Sequence, residues 1–115
     1  GARQRKIIDA ASLMEATIEV PLGLAAVAQR IGLSRRQLER LFKQHLERRP
    51  GQFYLELRLN RARQLLLQTD MSIMAVTVSC GFKSPPHFSK CYKELFGHSP
   101  SAERGGALRT PAPHA

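Results

Sequence analysis

Apolar residues recur along this chain at steps of three and four, the spacing of one face of a helix, and the pattern predicts an all-α fold of about seven helices. Residues 3 to 18 place Ile7, Ile8, Ala11, Met14 and Ile18 on one side of a helix that ends before Pro21. Leu24, Val27, Ala28 and Ile31 make a shorter second helix, and Gly32 follows where a left-handed residue ends a helix. Ser34 opens a third over about 35–46, with Gln37 three positions on in a capping-box arrangement. Leu38, Leu41, Phe42 and Leu46 form its buried stripe, whereas Arg35, Arg36, Glu39, Arg40 and Lys43 face outward. Residues 51 to 68 give a longer helix with Phe53, Tyr54, Leu57, Ala62, Leu65 and Leu66 available for packing, roughly 27 Å long. Ser72 caps a fifth helix that turns Ile73, Val76 and Cys80 inward and ends at Gly81. Ser84 caps a sixth over about 85–96, with Pro85 at the first helical position, where a missing N–H costs nothing. Its buried stripe is Phe88, Cys91, Tyr92, Leu95 and Phe96, and Pro86, His87, Ser89, Lys90, Lys93 and Glu94 face out. A short helix starts at Ser99-Pro100, and the Gly, Thr, Pro and Ala composition of residues 105–115 predicts a disordered tail.

The helical pattern occurs twice. Residues 26 to 33 lie over residues 75 to 82 at an offset of 49, with Ala, Val and Gly coinciding. After one extra residue, Lys83, the match resumes at an offset of 50: Ser34 over Ser84, Leu38 over Phe88, Arg40 over Lys90, Phe42 over Tyr92, Lys43 over Lys93 and Pro50 over Pro100. Each copy is a short helix, a glycine turn and a second helix with a basic outer face, which is a helix-turn-helix. The predicted organisation is a first helix-turn-helix subdomain over 1–50, a linker helix over 51–69, a second subdomain over 70–104 and the tail.

Charge adds a partner to this picture. The chain carries 18 Lys and Arg against 9 Asp and Glu, a net charge of +9. Residues 1–50 hold +5 of it and residues 51–115 hold +4, so the excess belongs to both copies and is not a basic tail. A doubled basic folded unit points to a polyanion, nucleic acid before an anionic membrane. No apolar run approaches the roughly 18 residues of a membrane span, and no leader pattern is visible, so the chain reads as soluble and cytoplasmic. An opening Gly1-Ala2 without Met reads as a piece of a longer chain whose signal-sensing part lies elsewhere.

Other chemistry finds little support. Cys80 and Cys91 lack metal-ligand spacing and lie on apolar stripes, where a buried inert thiol is the simpler reading. His45, His87, His98 and His114 have no ligand-like pairing with Cys, so neither a metal nor another cofactor is expected. Ser, His and Asp are present, but no Gly-rich elbow frames a nucleophile, and catalysis is not expected.

The run Gly-Leu-Ser-Arg-Arg-Gln-Leu-Glu-Arg-Leu-Phe-Lys at 32–43, Arg58-Leu59-Asn60-Arg61-Ala62-Arg63, and Cys80-Gly81-Phe82 through His87-Phe88-Ser89-Lys90 to Phe96-Gly97-His98-Ser99-Pro100 resemble the DNA-binding domain of the AraC/XylS transcription regulators. The resemblance covers residues 5 to 104 and implies bacterial transcription control, most often activation, with an effector-binding N-terminal domain outside this chain. The ending Ser101-Ala102-Glu103-Arg104-Gly105, where most of the family has an aromatic, is similar to the subgroup whose N-terminal half resembles DJ-1/PfpI proteins. That resemblance implies catabolic genes for an amino acid such as arginine, or a quaternary amine such as glycine betaine or carnitine.

Two recognition helices in two adjacent major grooves of double-stranded DNA follow from the repeat and the family together. Arg36, Glu39 and Arg40 are the expected base contacts of the first: an Arg suits guanine O6 and N7, and Glu39 suits cytosine N4. Ser34, Arg35 and Lys43 suit phosphates. The second leads with Pro85 and Pro86, which cannot donate, leaving Pro86 for a thymine methyl and His87 and Lys90 as polar contacts, with Ser84, Ser89 and Lys93 on phosphates. The second copy is therefore expected to position more and read less. Arg58, Arg61 and Arg63 are ambiguous, with Arg58 and Arg63 able to pair with Glu56 or Asp70. Two other classes remain open: a helical module docking on RNA polymerase, which is compatible with DNA binding, and a fragment like the AraC-like segment of DNA-repair proteins, which both cysteines inside helices argue against.

Overall fold

The computed structural model describes residues 1–105, and the expected tail lies outside them beyond Gly105. The described residues form seven helices and no strand: α1 (Ala2–Ala16), α2 (Leu24–Arg30), α3 (Arg35–Leu46), α4 (Pro50–Gln68), α5 (Ile73–Ser79), α6 (Pro85–Phe96) and α7 (Pro100–Arg104). Two compact units meet within α4, one ending at Arg58 and the other beginning at Leu59.

In the first unit α1, α2, α3 and the start of α4 enclose Ile7, Ala10, Met14, Val27, Ala28, Leu38, Leu41, Phe42 and Tyr54. Phe53 meets Phe42 edge to face, ring centres 5.4 Å apart. The α1–α2 connection is held by the Tyr54 phenol, which accepts from the Leu22 N–H at 3.0 Å and donates to the Thr17 carbonyl at 2.9 Å. Lys6 on α1 donates to the Ile31 carbonyl at 2.5 Å, placing a cation at the negative end of α2.

The second unit buries Leu59, Ala62, Leu66, Val76, Cys80, Phe82, Phe88, Cys91 and Tyr92. An aromatic file runs down α6, with ring centres 5.1 Å apart from Phe82 to Phe88, 5.7 Å from Phe88 to Tyr92 and 4.6 Å from Tyr92 to Phe96. The buried Thr77 hydroxyl donates to the Ile73 carbonyl at 2.7 Å, so its polar group is satisfied inside its own helix.

The repeat extends to backbone geometry. Gly32 (φ +76°) and Gly81 (φ +79°) adopt the left-handed conformation that the turn requires. Around them Leu33 N–H donates to Ala28 and Gly32 N–H to Gln29, while Phe82 N–H donates to Thr77 and Gly81 N–H to Val78. This is the same helix-ending pair of bonds at the offset of 49. Left-handed residues close both longer helices 50 positions apart, Glu47 (φ +53°) after α3 and Gly97 (φ +84°) after α6.

The structure differs from the sequence-based expectations at two buried stripes and at one ion pair. Ile8 is 58% exposed and Ala10 wholly buried, because α1 centres its contact on Ile7, Ala10 and Met14 and a small residue lets neighbouring backbones approach closely. Leu95 is 39% exposed. It lies in the last turn of α6. Arg63 pairs with neither Glu56 nor Asp70: its Nε meets Glu103 Oε1 at 3.0 Å and its guanidinium lies 5.0 Å over the Phe96 ring. Glu56 is engaged by Arg48 and by Gln52.

Candidate nucleic-acid interface

The first candidate surface is built by the start of α3. Ser34 accepts from the Gln37 N–H at 3.1 Å, and Gln37 Oε1 accepts from the Ser34 N–H at 2.8 Å. This reciprocal cap fixes where the helix starts and still leaves the Ser34 hydroxyl proton for a phosphate. With Leu38, Leu41 and Phe42 buried below, helical geometry brings Arg36, Glu39, Arg40 and Lys43 to the opposite face, all exposed, with Arg35 exposed at the first position. A cation, a carboxylate and two more cations on one solvent-facing strip are able to donate to guanine, accept from cytosine and neutralise phosphates.

Beside this strip runs a groove of about 230 Å³ lined by Ala2, Arg3, Lys6, Leu33, Gln37, Arg40, Leu41 and Gln44. It brings Arg3 and Lys6 of α1 next to Arg40, a neighbourhood absent from the sequence-based expectation. The signal was there: Arg3, Arg5 and Lys6 crowd the start of α1 with no acid in its first turn, against the preference of a helix N-terminus for negative charge.

The second candidate surface is built by α6. Ser84 caps it by accepting from the His87 N–H at 3.3 Å, and Pro85 and Pro86 form its first turn. Pro86, His87, Lys90 and Lys93 are exposed, and Ser84 and Ser89 are half-buried. His87 turns one ring nitrogen back to its own helix, with Nε2 3.5 Å from Cys91 Sγ. The geometry thus presents fewer outward hydrogen-bonding groups on α6 than on α3.

Behind α6 lies a polar cluster that periodicity could not reveal. Glu103 is 5% exposed, and its Oε1 accepts from the Tyr92 hydroxyl at 2.8 Å, His98 Nε2 at 2.9 Å and Arg63 Nε at 3.0 Å. Burial works against the charged form, but the hydrogen bonds from His98 and Tyr92 and the charge of Arg63 outweigh it and hold the carboxyl below the usual range. Tyr92 responds the other way: burial, then the adjacent carboxylate, push its phenol far above the ordinary value. The neighbouring Arg104 donates to the carbonyls of Leu66 at 3.1 Å and Thr69 at 3.0 Å and also reaches that of Met71, closing the end of α4. Among the described residues no three His, Cys, Asp or Glu side chains are grouped to hold a metal ion, and no helix is long and apolar enough to cross a membrane.

The comparisons with known proteins agree with the helix-turn-helix fold. A family model described as a helix-turn-helix domain matches residues 27–105. The chain is 55% identical over 104 residues to the HTH-type transcriptional regulator ArgR of Pseudomonas aeruginosa, covering 90% of this chain and 32% of that protein. It is similar to the crystal structure of a transcriptional regulator with an AraC-type DNA-binding domain from Chromobacterium violaceum, with a TM-score of 0.86, 53% identity, and coverage of 94% of this chain and 96% of that one. It is also similar to the DNA-binding domain of the global transcriptional factor AdpA in complex with a target DNA, with a TM-score of 0.82, 27% identity, and coverage of 89% and 94%. The chain spans about a third of the length of the curated relatives it matches.

Proposed function

The chain belongs to the AraC/XylS family of transcription regulators as a DNA-binding domain with two helix-turn-helix motifs, and from that premise we propose that α3 and α6 are unequal DNA readers, each placed in a major groove of one duplex. The carrying observation is the contrast between the two exposed faces. Arg36, Glu39 and Arg40 form a base-reading strip on α3, with Ser34, Arg35 and Lys43 on flanking phosphates. On α6 the base contacts are Pro86, His87 and Lys90, and the phosphate contacts Ser84, Ser89 and Lys93. The prolines offer only an apolar edge, so α6 does more positioning and less reading. Selection from a pool of random duplexes tests this: the enriched site is asymmetric, spans about two helical turns and is better defined in the half read by α3. Enrichment of no sequence, or of two equally defined halves, overturns it.

The full-length protein, on this reading, acts in the cytoplasm and on the nucleoid as an activator of catabolic genes. The likeness of the chain's ending to the subgroup with a DJ-1/PfpI-like N-terminal half supports genes for the catabolism of an amino acid or a quaternary amine, with the signal read by an N-terminal domain. A contact with RNA polymerase has its own support on α5. Met74 and Val78 are 56% and 58% exposed, where the first copy has Ala25 and Gln29. Met74→Ala with Val78→Ala should lower transcription from a target promoter while leaving duplex affinity unchanged.

A further inference from the structure

We propose that Glu103 is a positioning residue for DNA recognition by the second copy, acting through the Tyr92 hydroxyl to fix how α6 presents His87 and Lys90. The inference rests on the reading of α6 as a DNA-contacting helix and adds what holds that helix at its working angle.

The two longer helices of the repeat are held from behind by different means. At the position of α3 that matches Tyr92, the first copy has Phe42, a wholly buried ring packed edge to face on Phe53. Apolar packing of this kind is non-directional and tolerates small rotations. Tyr92 carries the same ring, equally buried, but its hydroxyl is tied to Glu103 at 2.8 Å. A hydrogen bond to an ionised carboxylate is short and directional, and it weakens steeply when the donor turns away.

The carboxylate is itself fixed from two further sides. His98 holds it from the connection between α6 and α7, and Arg63 holds it from α4 while lying over the Phe96 ring. Arg104, the next residue, ties α7 to the carbonyls of Leu66 and Thr69 at the end of α4. Glu103 is thus a strut anchored to α4 and ending on α6. Lys90 and His87 lie two and five positions before Tyr92, so a rotation of α6 about its axis swings both away from a duplex. Losing the strut should therefore cost DNA contact by α6 before it costs the fold.

Double-mutant cycles in the intact protein, on the duplex enriched by the wild type, test this. They are run at a temperature where circular dichroism shows each variant fully helical. Lys90→Ala should weaken binding about fivefold or more in the wild type and about twofold or less in Tyr92→Phe, which removes only the hydroxyl. The Arg40→Ala loss should be the same in both backgrounds. Glu103→Gln, run in parallel, should reproduce Tyr92→Phe. A purely structural role leaves the Lys90→Ala loss undiminished in both backgrounds, and that result overturns the proposal. If neither Lys90→Ala nor His87→Ala weakens binding in the wild type, the reading of α6 as a DNA contact fails first and the inference with it.

Discussion

Arg36 and Arg40 owe their candidacy to position: both project from the start of a capped helix whose other face is fully committed to the core. Arg40→Ala should cost about 1–3 kcal/mol on the enriched duplex and relax preference at one base pair, whereas Lys43→Ala should weaken all duplexes alike and flatten the salt dependence. Titration of specific and scrambled duplexes separates the two outcomes. These residues were legible because exposure at helical spacing is a property of a few neighbouring positions. Glu103 was not, since a carboxylate in a short terminal helix reads as solvent-facing until Tyr92, His98 and Arg63 are seen around it. Its titration carries a prediction. With the folded carboxyl held below the usual range, its stabilisation is complete above the unfolded value of about 4.3 and is lost as the pH falls through the folded value. In thermal unfolding, the stability gap between wild type and Glu103→Gln should narrow as the pH falls from about 5 to below about 4. A gap that widens over that interval would contradict the assignment.

The ends of the elements carry the clearest sequence signals. Ser34, Ser72, Ser84 and Ser99 each accept from the backbone N–H three residues on. Gly32 and Gly81 take the positive φ that the helix-turn-helix demands. Such caps were legible because each is a local contract between a residue type and a backbone angle. The register of α1 was not, because Ile7 and Ile8 are equally apolar and only packing chooses between them. The left-handed cap after α3 exposes a strain that its counterpart avoids: Glu47 stands where α6 has Gly97. Glu47→Gly should stabilise the protein by about 1 kcal/mol, and Gly97→Ala, with nothing within 4 Å of the added carbon, should destabilise it by a similar amount through backbone angle alone. Denaturant midpoints of the two variants should move in opposite directions.

For the molecule as a whole, the repeat divides charge, caps and turns between two units that share α4, and the divergence of the copies gives each unit its part. The first keeps a dense strip of hydrogen-bonding side chains on α3. The second trades it for Pro85 and Pro86 in front and the polar anchor on Glu103 behind. The net charge of +9 was legible as a polyanion signal, and the offsets of 49 and 50 divided it between two candidate DNA-binding faces. On the proposed division of roles, which face reads and which positions depends on side-chain surroundings that no periodicity contains. The most direct test is to measure affinity for the enriched duplex and for two versions of it, each with one half scrambled. Scrambling the half read by α3 should cost about tenfold or more, and scrambling the other half clearly less, with all three affinities falling steeply as salt is raised. Equal losses from the two halves, or indifference to both, would contradict the account.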